Sequence, residues 1–144
     1  MATIEPNLLA EINRLAEQGN MYYERENGER QALNTWRSAL SLLPKPHTDY
    51  DESVWLYACV GDAHADLGNP QEALRSYEAA YEGPEGHLNP YVLLQMGKIL
   101  SDIGRWELAR DRLLRAYMLE GKEIFDGGDQ PYLDRLREDE TINL

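Results

Sequence analysis

The chain has 144 residues, 42% hydrophobic and 28% charged, which is the composition of one ordinary globular domain. Its formal net charge of −12 argues against direct binding of nucleic acid, because neutralising phosphates requires clustered Lys and Arg. The same charge disfavours docking on an anionic membrane surface. It favours a basic protein partner, and the alternative that the acidity only maintains solubility stays open.

No apolar run in the sequence reaches the length of about 18 residues that a membrane span requires. The opening residues, MATIEP, lack a basic region followed by an apolar stretch, so we expect no secretory signal. Cys59 is the only cysteine, which excludes an intrachain disulfide. Together these features predict a cytoplasmic protein.

The first predicted element is a helical hairpin over residues 12–45, whose first helix starts within residues 5–11. Its pattern of small and large residues consists of Gly19, Tyr22, Ala32, Trp36, Ala39 and Pro44. Small residues let two helices approach closely, and large residues fill the space beside them. We therefore predict two antiparallel helices, followed by a longer connection after the proline.

The second predicted hairpin covers residues 54–87. Small residues follow Gly61 at intervals of 7, 12 and 19 positions, namely Gly68, Ala73 and Ala80. Asn69 is a good N-cap residue, and Pro70 suits the first position of a helix. Apolar residues then recur on one helical face until Glu82, where the sequence Gly-Pro-Glu-Gly ends the pattern. This pattern predicts a helix over residues 70–82.

The third predicted hairpin covers residues 90–123 and repeats the second at an offset of 36 residues. The matching small residues are Gly97, Gly104, Ala109 and Ala116. Asn89 and Pro90 repeat the signal for a helix start. Residues 129–140 then predict a C-terminal cap, with a helix over residues 130–138 whose Tyr132, Leu133 and Leu136 cover the end of the third hairpin.

These three copies resemble the tetratricopeptide repeat (TPR), a helix-turn-helix unit of about 34 residues with small and large residues at fixed positions. The resemblance covers about residues 12–123. The departures are Gln18 at an apolar position, His64 at a tyrosine position, and the missing final proline in the second and third copies. The resemblance implies an all-α fold, namely a right-handed α-solenoid of three repeats plus a C-terminal capping helix, in a single domain over residues 1–144.

In TPR proteins the first helix of each repeat lines a concave groove, and the resemblance implies that this groove binds a partner. The candidate partner-binding residues that map to it are Asn20, Tyr23, Glu24, Trp55, Asp62, Asp66, Tyr91, Lys98 and Asp102. Tyr and Trp are frequent hot spots of binding, and carboxylates suit Lys or Arg on a partner. The groove has little positive charge besides Lys98, so it lacks the basic clamp of chaperone-tail receptors.

The groove residues are expected to face solvent. The aromatic side chains of Trp55 and Tyr91 are expected to be exposed for binding, and the alternative is that each packs against a neighbouring repeat. The carboxylates of Asp62 and Asp66 are expected to be solvated, with no buried partner for either.

The segment from Gly121 to Leu136 also resembles the tail of small bacterial TPR proteins that are encoded beside Rhs-type and other polymorphic toxins and act as immunity proteins. This resemblance implies a protein that neutralises a basic partner, such as a toxin or nuclease domain. We expect the free protein to be a monomer or a weak dimer. The alternative is a scaffold or co-chaperone adaptor that binds a peptide segment.

The sequence predicts no catalytic, cofactor or metal site. Asp62 and Asp66 lie four residues apart on one helix face, and a solvated groove explains this pair better than acid-base chemistry. His64 occupies a core aromatic position, and the other two histidines fall in loops, so no metal-ligand spacing with Cys59 results. No strand precedes a glycine-rich phosphate loop. An enzyme with an unrecognised site has no support in the sequence.

Overall fold

The computed structural model describes residues 3–144, and every regular element in that range is helical. The α-helices are α1 (Pro6–Tyr23), α2 (Glu29–Leu42), α3 (Asp51–Asp66), α4 (Pro70–Glu82), α5 (Pro90–Asp102), α6 (Trp106–Glu120) and α7 (Gln130–Glu138). Short 3₁₀ turns occupy His47–Asp49, Gly86–Leu88 and Lys122–Phe125. The first six α-helices pack as the adjacent pairs α1–α2, α3–α4 and α5–α6. The predicted all-α repeat fold is confirmed.

The chain forms two compact units, an N-terminal unit that ends at Gly86 and a C-terminal unit over His87–Leu144. The N-terminal unit holds α1 to α4 and the C-terminal unit holds α5 to α7. The boundary falls at the end of the second predicted repeat, between α4 and α5. Within residues 3–144, no helix combines the length and the apolar character that crossing a membrane requires.

Gly61 and Gly97, the first glycines of the second and third repeats, lie where two helices of a hairpin approach each other. A Cβ atom on Gly61 of α3 would lie 2.5 Å from the Tyr77 ring of α4. A Cβ atom on Gly97 of α5 would lie 2.6 Å from the Leu113 side chain of α6. Both distances are far below van der Waals contact, so any larger residue would force the paired helices apart. The predicted packing role of these glycines is confirmed.

The core of the N-terminal unit is built around Trp36 of α2, whose side chain is 2% exposed. Its indole Nε1 donates a hydrogen bond to the carbonyl oxygen of Ala16 in α1 at 3.2 Å. The ring of Tyr23 lies against it, with the two ring centroids 5.2 Å apart. A buried indole needs such an acceptor. Trp36, at the aromatic position of the first repeat, therefore packs against α1 and also forms a hydrogen bond with it.

The two predicted N-caps have different outcomes. The Asn89 side chain accepts a hydrogen bond from the Val92 amide at 3.2 Å, which confirms it as the cap of α5. Asn69 occupies the predicted N-cap position of α4, but its side chain makes no capping hydrogen bond. Its backbone amide instead donates to the His64 carbonyl oxygen at 2.8 Å. The resulting ψ of 71° departs from the extended conformation that N-cap residues usually adopt.

The C-terminal segment is tied to the rest of its unit by both apolar and polar contacts. Leu133 and Leu136 of α7 are buried, as predicted for a helix that covers the third hairpin. After α7, the Asp139 carboxylate accepts hydrogen bonds from the Thr141 hydroxyl and, at 2.7 Å, from the Trp106 indole. These bonds, with a smaller effect from the nearby Arg110 guanidinium, hold the pKa of Asp139 well below its ordinary value.

Candidate functional site

The two aromatic residues proposed as anchors are partly exposed. Trp55 lies in the first half of α3 and Tyr91 in the first turn of α5, and each is 46% exposed. They are separated by 36 residues, so they occupy the same position of two successive repeats. Neither side chain is therefore a buried core residue, although Trp55 lines a cleft together with Ile12 and Ala16 of the preceding repeat.

The two acidic residues near the end of α3 have tyrosine partners that the sequence did not predict. The Tyr77 hydroxyl donates to Asp62 Oδ1 at 2.5 Å, and the Tyr23 hydroxyl donates to Asp66 Oδ2. Tyr77 is completely buried, so the expectation that Asp62 has no buried partner was wrong. The physical reason is that a buried phenol requires an acceptor, and Asp62 is within its reach.

The contact with Asp66 affects the ionisation of Tyr23. Burial, followed by the hydrogen bond to Asp66, raises the pKa of Tyr23 far above its ordinary value. Tyr23 therefore keeps its proton throughout the physiological range and remains a donor to Asp66. The pair joins the last residue of α1 to the last residue of α3.

The remaining candidates of the N-terminal unit lie beside this pair. Asn20 is half-buried in the last turn of α1, and Glu24 is the exposed residue that caps the helix C-terminus. A carboxylate at a helix C-terminus faces the negative end of the helix dipole. Glu24 therefore does not stabilise its own helix. Its position is consistent with a contact to a partner.

The candidates of the C-terminal unit contact the chain's own C-terminal segment. Lys98 forms an ion pair with Asp129 at 2.9 Å. The Tyr132 hydroxyl lies 2.9 Å from each carboxylate oxygen of Asp102. Burial, followed by the hydrogen bond to Asp102, raises the pKa of Tyr132 to about 12. Lys98 and Asp102 thus already have internal partners on the surface where the sequence places an external one.

His64 is packed in the N-terminal unit, as its repeat position predicted. Its ring is 5% exposed, and Nε2 lies 3.0 Å from the Arg37 guanidinium. Arginine can only donate, so Nε2 is the acceptor and the neutral ring carries its proton on Nδ1, which is buried without a partner. Burial and then the Arg37 charge lower the pKa of His64. Among residues 3–144, no group of three or more His, Cys, Asp or Glu side chains could hold a metal ion.

Two neighbouring clefts at the other end of α1 and α3 were not anticipated. The first has a volume of about 130 Å³ and is lined by Ile12, Asn13, Ala16, Glu52, Trp55 and Leu56. The second has a volume of about 330 Å³ and is lined by Thr3, Ile4, Leu9, Asp49, Asp51, Glu52 and Pro84. Glu52 lines both. The sequence signal for the first cleft was Trp55, which the repeat pattern places in the groove, and the signal for the second was the acidic residues just before it.

Comparison with known proteins identifies the fold but no family. No protein-family model and no curated protein matches the chain. Among solved structures, the type III secretion translocator chaperone SycD of Yersinia enterocolitica has a similar fold, with a TM-score of 0.69. The similarity covers 96% of this chain and 100% of that chain, at 16% sequence identity. It supports the helical-repeat fold that the glycine and alanine pattern predicts.

Proposed function

We propose that this chain is a non-catalytic protein-binding module of the cytoplasm that binds a basic partner protein. Its most concrete form is a bacterial immunity protein that neutralises a cognate toxin, such as a nuclease, by covering the basic active-site cleft. Direct binding of nucleic acid and of membranes is not part of this function, because the formal charge is −12. The free protein is a monomer or a weak dimer.

The observation that carries the proposal is the exposure of Trp55 and Tyr91 at equivalent positions of two repeats. Large aromatic side chains contribute strongly to interfaces because they bury a wide apolar surface with few rotatable bonds. An aromatic side chain that stays in water does not stabilise the unit that carries it, and here this happens at the same position of two repeats. A partner that covers the ring explains its exposure in each unit.

Charge supports the choice of a basic partner. Glu24, Asp62 and Asp66 lie at the ends of α1 and α3, and the tyrosine hydroxyls that contact the two aspartates carry no positive charge. The carboxylates therefore keep their negative field toward solvent and can steer Lys and Arg groups of a partner. A nuclease cleft, which must attract phosphate, presents such groups.

The proposal is tested by co-expressing the chain with the protein encoded next to it. We expect a 1:1 complex and loss of the neighbour's toxicity, and the same experiment with Trp55→Ala should restore toxicity. A neighbour that stays toxic and unbound in the presence of the folded wild-type chain would contradict immunity.

A peptide-binding adaptor or chaperone is the second candidate, and the fold similarity to SycD, a translocator chaperone, favours it. The two candidates differ in what the partner does when bound. An immunity protein abolishes the activity of a folded partner, whereas an adaptor binds a segment and leaves activity unchanged. Assaying the partner's activity in the purified complex separates them.

A further inference from the structure

The cleft beside Trp55 has the size and lining of a pocket for one apolar side chain. Its volume of about 130 Å³ is close to the roughly 150 Å³ at which an aliphatic cavity accepts a benzene-sized group. Ile12, Ala16 and Leu56 give it apolar walls, and the half-exposed indole of Trp55 forms part of its rim. An entering side chain would therefore bury apolar surface against these four residues.

The adjacent cleft adds negative charge to this pocket. All of its ionisable lining residues are carboxylates, namely Asp49, Asp51 and Glu52. Ile4 and Leu9 provide apolar surface beside them. Lys and Arg side chains combine an apolar stem with a terminal charge, so they match a cleft with this lining.

The three carboxylates also differ from the acidic residues predicted to bind a partner. Within residues 3–144, none of Asp49, Asp51 and Glu52 forms an ion pair or a side-chain hydrogen bond. Asp62 and Asp66, by contrast, already accept tyrosine hydroxyls. Asp51 and Glu52 lie in the first turn of α3 and favour the helix start. That local role does not account for the apolar cleft that opens next to them.

We propose that the two clefts form one binding site for a basic and apolar segment of the protein partner. An aliphatic or aromatic side chain enters the cleft beside Trp55, and a neighbouring Arg or Lys reaches the carboxylates of Asp49, Asp51 and Glu52. Glu52 and Trp55 are three residues apart on α3 and therefore adjacent on its surface. Two nearby side chains of one segment can thus occupy both clefts. This inference rests on the proposed protein-binding function and assigns its main charge contact to the beginning of α3.

The test uses short synthetic peptides, acetylated and amidated, that carry one leucine beside two arginines. Isothermal titration calorimetry with the full chain should show saturable binding. Replacing the arginines by glutamine, or the leucine by glycine, should weaken binding about tenfold or more, and glutamate in place of arginine should abolish it. Equal affinity for all of these peptides, or binding of none, would overturn the inference without any need for a protein variant.

Matched protein variants locate the site. Asp49→Asn with Glu52→Gln removes two charges at the clefts, and Asp134→Asn with Glu138→Gln removes two exposed charges of α7. Only the first pair should weaken peptide binding, by about tenfold, with circular dichroism confirming that both variants are helical. If Asp62→Asn with Asp66→Asn weakens binding instead, the inference is wrong and the proposed function still stands. Failure of the proposed function itself would appear separately, as absence of a complex with the neighbouring protein.

Discussion

The hydroxyl of Tyr132 lies 2.9 Å from both carboxylate oxygens of Asp102 and joins α7 to the last residue of α5. Asp102 is the repeat equivalent of Asp66, which accepts a hydrogen bond from Tyr23 of α1. The same repeat position therefore accepts a tyrosine hydroxyl in both units, from an earlier helix in one and from a later helix in the other. The tyrosine partner thus comes before the aspartate in one unit and after it in the other.

Removing this hydroxyl should loosen the C-terminal helix. Tyr132→Phe is expected to lower the free energy of unfolding by about 1 kcal/mol, because a hydrogen bond to a carboxylate is lost at a partly exposed site. Chemical denaturation measures the change, and Asp102→Asn with the double variant completes a thermodynamic cycle. The two single costs should sum to more than the cost of the double variant. Strict additivity would show that the two groups do not interact in solution.

The repeat alignment predicts that Ala109 lies at a close contact between helices, and its side chain is completely buried. Ala109→Glu should bury an unpaired charge and a larger side chain, at a cost of about 3 kcal/mol or more. Thermal unfolding followed by circular dichroism gives the change. Ala65→Glu, at an exposed position of α3, is the matched control and should have little effect. An unchanged melting temperature for the buried variant would refute the alignment.

Trp55 is the exposed anchor that should contribute most to partner binding. Trp55→Ala is expected to weaken binding by about 2 kcal/mol while the helix content stays constant. Met118→Ala, which truncates a side chain that is 74% exposed on α6, provides a control for loss of apolar surface alone. Both affinities are measured by titration with the partner. An equal loss of affinity in the two variants would argue against a specific role for Trp55.

Association with a basic partner should depend strongly on salt. At 0.5 M ionic strength the screening length falls to about 4 Å, so the association rate should drop about tenfold while dissociation changes far less. Asp62→Asn with Asp66→Asn should reduce this salt dependence. It should also cost about 1 kcal/mol of stability, because Tyr77 loses a charged acceptor. Stopped-flow rates that are insensitive to salt would place the interface on another surface.

The fold should lose stability in mild acid through His64. Its pKa is lowered from the ordinary value of 6.5 in the folded state, so the unfolded chain binds the proton more readily. The contribution of the neutral His64 ring to the stability of the fold is therefore complete above about pH 6.5. It is lost as the pH falls below that value. Between pH 7 and pH 5 the melting temperature of His64→Gln should vary less than that of the wild type. His87→Gln, a change at an exposed histidine of the other unit, serves as the matched control.

The sequence predicted the features of the fold that recur with the repeat. Gly61 against Tyr77 and Gly97 against Leu113 are contacts inside one hairpin, so their spacing is the same in both copies and is visible as a period of 36 residues. The helix over Pro70–Glu82 was predicted with its correct ends, because a proline starts it and a glycine follows it.

The contacts of the candidate site could not be predicted in the same way. Tyr23 and Asp66 are 43 residues apart, and Tyr132 and Asp102 are 30 residues apart, so neither pair follows the repeat period. Such pairs depend on how helices of different hairpins lie beside each other. The clefts at Glu52 have the same origin, since their walls come from several separate segments.

The three tryptophans provide a separate optical signal for each part of the molecule. Trp36 is enclosed in the core of the N-terminal unit, Trp106 is hydrogen-bonded to Asp139 in the C-terminal unit, and Trp55 faces solvent. Fluorescence of Trp36 in a chain that lacks the other two indoles would follow melting of the N-terminal unit alone. Trp106, isolated in the same way, would follow release of the C-terminal residues. Whether the two units melt together or in succession can thus be measured in the intact chain, with no need to cut it.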